Sequence, residues 1–139
     1  MVLSLPFSVV LPRKAKADKV FMLNLNVYRN THYMILNKAK VAWKDIVWAA
    51  YHGAGRSVPP FPWRFAYTAF PLSRRSFDLG NVLSIVQKFT DDALIDLLVI
   101  PDDSYRYIKE VDYRFGYVDK VNPRVELTIE EIGFEEIKP

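Results

Sequence analysis

The apolar rhythm changes abruptly in the middle of the chain, and this change restricts the fold more than any other feature. In WRFAYTA (63–69), Trp63, Phe65, Tyr67 and Ala69 alternate with Arg64, Ala66 and Thr68, the period of a half-buried strand. Past Asp78, the residues Leu79, Val82, Val86, Phe89, Ala93 and Leu97 recur at steps of three and four. That is the period of a helix laying one face on a sheet. Asp78 stands where an N-cap belongs, with a carboxylate able to accept a backbone N–H of the first turn.

The flanks extend this pattern. Phe7 to Leu11 reads as a strand, and Val20 to Asn26 as another, with Phe21, Leu23 and Leu25 on one side. A first helix is expected from Tyr33 or Asn37 to Tyr51, where Trp43, Ile46, Val47 and Ala50 share a stripe and Gly53 and Gly55 supply the stop. After Pro101, two more alternating runs follow, Val111 to Tyr117 and Val125 to Ile129, with Pro123 between them. Strands, helix, strand, helix, then two strands imply an α+β domain with a mixed β-sheet and two main helices packed on one face. Residues 1–139 hold no repeat or low-complexity segment and fit a single domain.

Composition narrows the function classes. Half the residues are hydrophobic, enough for a packed interior. There is no cysteine, which excludes a disulfide framework and thiolate metal sites and fits an intracellular protein. No apolar run approaches the ~20 residues that span a bilayer. The apolar start, MVLSLPFSVVL, precedes its charges rather than following them, which is the wrong order for a secretory leader. The net charge of +3 conceals an asymmetry: residues 1–75 carry 12 Lys/Arg and 2 Asp/Glu, residues 76–139 carry 7 and 14. Arg13, Lys14, Lys16, Lys19, Lys38, Lys40, Lys44, Arg74 and Arg75 could form a basic surface for phosphates or an acidic protein, or simply solvated faces.

Among chemistry-bearing residues, Asp78, Asp102 and Asp103 stand out. Mg²⁺ is held through one or two carboxylates plus water and phosphate, and two-metal phosphodiester cleavage needs carboxylates converging from different elements. A helix-start aspartate and a later pair meet that need if the fold brings them together; as caps and turn residues they need no such role. His32 and His52 lack a nucleophile partner, and GAGRS (53–57) lacks the lysine and spacing of a P-loop.

Three ordered segments, RRSFDLGN, VIPDDSYRYI and NPRVELTIEEI, resemble the RusA family of Holliday junction resolvases, especially its phage branch. Upstream, LNVYRNTHYMILNKAKVAWKDIV is similar to the family's Asn, Tyr and Arg/Lys pattern, so the likeness covers about residues 23–132. The resemblance implies a small α+β domain that dimerises, binds four-way DNA junctions and cuts them with Mg²⁺ on aspartates. Carried across, Asp78 matches the first aspartate of the family's DLDN, Asn81 its asparagine, and Asp102 and Asp103 the later pair. Gly80 replaces the second aspartate. The family's lysine falls near Ser84, leaving Lys88 one turn later as a substitute.

These departures fall on the catalytic positions, so the implied chain is a phage protein with no intact catalytic set that binds a host macromolecule. In size and cysteine-free composition it is also similar to small phage regulators that bind host RNA polymerase. The expectation is therefore a transcription regulator in the cytoplasm of the infected bacterial host, without a cofactor. Arg74, Arg75, Arg13, Lys14, Lys16, Lys38, Lys40 and Lys44 are its candidate contacts, with exposed Tyr28, Tyr105 and Tyr107 beside them. The alternatives are a Mg²⁺-dependent resolvase using Asp78, Asp102 and Asp103, and a junction-binding protein without cleavage.

Overall fold

The computed structural model describes residues 1–55, 57–75 and 78–133. Six strands and three helices alternate as β1 (Val2–Leu5), β2 (Ser8–Leu11), β3 (Lys19–Met22), α1 (Leu25–Arg29), α2 (Tyr33–Gly53), β4 (Trp63–Phe70), α3 (Leu79–Asp96), β5 (Ile108–Phe115) and β6 (Arg124–Glu131). Four strands form one sheet in the order β1-β6-β4-β5. Only β4 and β5 are parallel, joined by the α3 crossover, while β6 runs antiparallel to both β1 and β4. The domain is thus α+β with a mixed sheet, as the change of period implied.

Register explains which face is buried. Leu3 and Leu5, Leu127 and Val125, Tyr67 and Ala69 sit opposite one another across β1, β6 and β4, and all are buried. Trp43 and Val47 of α2 and Leu83, Val86 and Phe89 of α3 join the same core, so both long helices cover this face. The other face is polar. Arg64, near the start of β4, bonds Glu110 of β5 at 2.7 Å and approaches Glu130 of β6 at 3.8 Å. Arg124 pairs with Asp119 at 2.8 Å and Glu126 at 3.0 Å, with its guanidinium 4.1 Å from the centre of the Phe70 ring.

The pair β2–β3 is a separate hairpin whose inward Val9, Leu11 and Phe21 close the core beside α2, with Phe21 stacked on Phe89 at 5.9 Å. The apolar N-terminus holds two strands where one was expected. Pro6, which has no N–H to donate, separates them, and β1 reaches back to pair with β6. The expected strand through Asn26 also stops early. Asn24 caps a new helix, its side chain accepting from Val27 N at 2.8 Å, so Leu25 opens α1 instead of closing a strand. Strand β5 begins three residues before Val111 and ends before Tyr117, because its register follows β4 from Trp63 to Ala69. No helix among the described residues is long and apolar enough to cross a membrane.

Candidate functional site

Asp78 is the N-cap of α3, with Oδ1 accepting from Asn81 N at 3.0 Å. Asn81 then turns its own side-chain oxygen to Leu25 N at 2.8 Å, fixing α1 against the start of α3. Both residues of the DLGN motif therefore organise helix termini. Gly80 is exposed, and a Cβ built there would lie 3.6 Å from Asp78 Oδ1, an ordinary contact. Nothing in the fold demands glycine at this position. Ser76 and Phe77, the middle of the motif's lead-in, and Arg56 of GAGRS lie outside the described residues.

Asp102 and Asp103 follow the other end of α3. Asp102 Oδ1 accepts from Ser104 N at 2.7 Å, and hydrogen bonds from Ser104 hold its carboxyl below the usual carboxylate range. Helix α3 has 18 residues, which at 1.5 Å per residue separates its ends by about 27 Å. The connection carrying Asp102 and Asp103 runs from the far end into β5, where Tyr107 O accepts from Trp63 N at 2.7 Å, at the opposite end of β4 from Asp78. The convergence of Asp78, Asp102 and Asp103 that the resolvase alternative requires is not seen within the chain, because a parallel β4–α3–β5 crossover places them at opposite ends of one helix. Among the described residues, no three of His, Asp and Glu are grouped to hold a metal ion. Lys88 is exposed and lies about 15 Å along α3 from Asp78, too far to replace a lysine beside the cap.

The basic residues divide into two groups. Arg13, Lys14 and Lys16 are exposed on the β2–β3 connection, and Lys38 of α2 borders the same groove as Leu11 and Pro12. Arg74 and Arg75 are exposed at the other end of the hairpin, where Arg75 lines a groove of about 300 Å³ with Met22, Leu72, Val82 and Pro123. None of these six has a carboxylate at ion-pair distance among the described residues. Lys40 differs: it pairs with Asp92 at 3.5 Å and sits over the Phe89 ring, which ties α2 to α3. Lys44 is half-buried beside Phe89, Asp92 and Asp96. Of the three tyrosines expected at the surface, Tyr105 is exposed. Tyr28 and Tyr107 are half-buried, edge-on to Phe89 and Phe61 respectively. Of the histidines, His32 caps α2 by accepting from Met34 N, and His52 lies against Trp48.

One polar cluster was not anticipated. Beneath α3, Trp43 Nε1 donates to Thr90 Oγ1 at 3.1 Å, Tyr113 Oη donates to Gln87 Oε1, and Gln87 Nε2 donates to Asp91 Oδ2 at 3.5 Å. Asp91 is only 6% exposed, and its Oδ1 has no hydrogen-bond partner among the described residues. Burial, reinforced by the Asp103 carboxylate, pushes its carboxyl up to about 7. Burial, with Asp91 nearby, also raises the Tyr67 hydroxyl. Gln87 and Asp91, four apart and bordering the apolar stripe, were the available signal.

No protein-family model matches the chain, and no curated protein matches it.

Proposed function

We propose that this chain is a non-catalytic phage protein on a RusA-like scaffold. In this reading it binds host RNA polymerase in the cytoplasm of the infected cell and thereby regulates transcription. The observation that carries the non-catalytic part is the separation of the motif aspartates. Asp78 caps one end of α3, a helix about 27 Å long, while Asp102 and Asp103 follow its other end. Phosphodiester cleavage by shared metal ions needs those carboxylates within a few ångströms of one another. The binding part is supported by two exposed basic groups with no carboxylate at ion-pair distance among the described residues: Arg13, Lys14 and Lys16 on the β2–β3 connection with Lys38 beside Leu11 and Pro12, and Arg74 and Arg75 at the other end of the hairpin, where Arg75 borders Leu72 and Met22.

The test is a direct binding measurement with purified host RNA polymerase, alongside affinity capture from host lysate. Polymerase subunits in the eluate and saturable binding in the purified system are expected; their absence refutes the transcription reading. A synthetic four-way junction supplies the other arm. Mg²⁺-dependent nicking that Asp78→Asn abolishes would establish the resolvase instead. Junction affinity without nicking, falling steeply with salt, would make the target DNA.

A further inference from the structure

The outer face of the β2–β3 hairpin is an apolar strip that no described residue covers. Strand alternation sends Val9, Leu11 and Phe21 into the core and the residues between them outward. Val10, Val20 and Met22 are consequently 52%, 55% and 45% exposed, with Val10 and Val20 directly opposite one another in the register. Met22 continues the strip into the groove of about 300 Å³ that Leu72, itself 59% exposed, also lines. No acidic residue is among the described residues lining that groove. Its polar lining donates: Arg75 carries a guanidinium, and Asn24, whose Oδ1 accepts from Val27 N, keeps its Nδ2 hydrogens without an acceptor among the described residues.

Charge of one sign brackets the strip at both ends. Arg13, Lys14 and Lys16 are exposed at the hairpin tip, where Asp18 is the only acid, and Arg74 and Arg75 are exposed at the groove. None of these five cations has a carboxylate at ion-pair distance among the described residues. This pattern selects a partner. Aliphatic side chains offer bases no ring to stack on, and the cations stand at two separate ends rather than along a continuous track, so nucleic acid fits poorly. A second copy seated by a two-fold axis would set basic end against basic end. A linear protein segment with apolar side chains at its centre and aspartate or glutamate on both sides satisfies both the strip and its ends. The four residues of β3 span about 13 Å, which four extended residues of such a segment match.

We infer that the outer face of the β2–β3 hairpin, with Val10, Val20 and Met22 leading to Leu72, docks a segment of a partner protein that is apolar in the middle and acidic at both ends. Its carboxylates meet Arg13, Lys14 and Lys16 at one end and Arg74 and Arg75 at the other. The inference rests on the protein-binding reading above, but not on polymerase being the partner.

Fluorescence anisotropy of the full chain with a labelled synthetic peptide tests this. The probe has an alternating leucine–threonine–valine–threonine–leucine core flanked on each side by paired glutamates. Saturable binding that weakens with rising ionic strength is expected. Exchanging Val20 and Met22 together for threonine keeps strand propensity and should weaken binding about tenfold. Arg75→Glu should also cost about tenfold. Val2→Thr, an exposed apolar position on β1 of the other sheet, should leave affinity unchanged, and the circular dichroism of every variant should match the parent. No binding of the probe, equal binding of a lysine-flanked version, or indifference to V20T/M22T would overturn the inference. Displacement of the probe by single-stranded DNA or phosphatidylglycerol vesicles, at concentrations where unlabelled probe fails to displace it, would also overturn it by assigning the face to another partner. Probe binding by a chain that does not bind polymerase refutes the transcription reading alone, whereas polymerase binding with no probe binding refutes this inference alone.

Discussion

Replacing Asp91 with asparagine should stabilise the protein at neutral and alkaline pH and leave it nearly unchanged in acid. Asp91 lies within α3 beneath Tyr67 of β4 and Tyr113 of β5, near Asp103 of the α3–β5 connection. On its own helix, Gln87 donates a hydrogen bond while Lys88 and Asp92 act in opposite directions. Burial dominates, and the carboxyl moves from 3.8 to about 7. In the unfolded chain Asp91 has lost its proton by about pH 5, whereas the folded chain retains it until about pH 7. Across that window the folded state binds more protons, so the stability contributed by this group falls as pH rises, and the penalty is complete above about pH 7. At ~1.4 kcal/mol per pH unit, a window of about three units corresponds to about 4 kcal/mol. Asparagine keeps the shape, can accept and donate at the same site, and cannot ionise. Urea unfolding of the two proteins at matched m-values, from pH 4 to pH 8, isolates this term, since every other titration cancels in the difference. The expected gain for Asp91→Asn is about 2–4 kcal/mol at pH 8 and within about 0.5 kcal/mol of zero at pH 4. A variant less stable than the parent at pH 8, or a difference that does not grow with pH, would refute the account of a buried, largely uncompensated carboxylate.

Two backbone positions give sharper local tests. A Cβ at Gly116 would collide with the Phe70 ring, which is held between Tyr117 and Arg124, so Gly116→Ala should cost about 1–3 kcal/mol by urea unfolding. Leu98 has φ 61 and is 90% exposed just past the C-cap of α3, a left-handed position with no packing to compensate. Leu98→Gly should therefore raise stability by about 1 kcal/mol, and an unchanged or lower urea midpoint would contradict that.

What the sequence revealed and what it hid follow from the range of the forces involved. Elements written by strong local periodicity were legible: β4, α2 and α3, including the Asp78 cap, fall where the apolar spacing places them. Boundaries decided by a partner were not. Strand β1 is four residues long and exists because β6 offers a ladder for it, while Leu25 leaves the strand pattern because Asn24 caps a helix turn. Gly116 gave no sequence signal, because its requirement comes from Phe70, which β4 supplies from 46 residues earlier.

The candidate site turns on the same distinction between local chemistry and topology. Each motif reads correctly as a local unit: Asp78 to Asn81 start a helix, and PDD turns the chain, with Asp102 holding Ser104 N. Whether two such units can share an ion depends on the path between them. A single long helix crossing from one end of β4 to the start of β5 sends them apart. Spacing in sequence does not carry that information, because 24 residues from Asp78 to Asp102 could equally form a hairpin that returns to its origin. The parallel pairing of β4 with β5 is the fact that separates the aspartates, and it is set by the match of Phe65, Tyr67 and Ala69 to Val111, Tyr113 and Phe115. That pairing also buries Asp91 beneath the crossover helix. Among the described residues, the carboxylate with a strongly altered proton affinity is thus on α3 itself, outside the DLGN and PDD motifs.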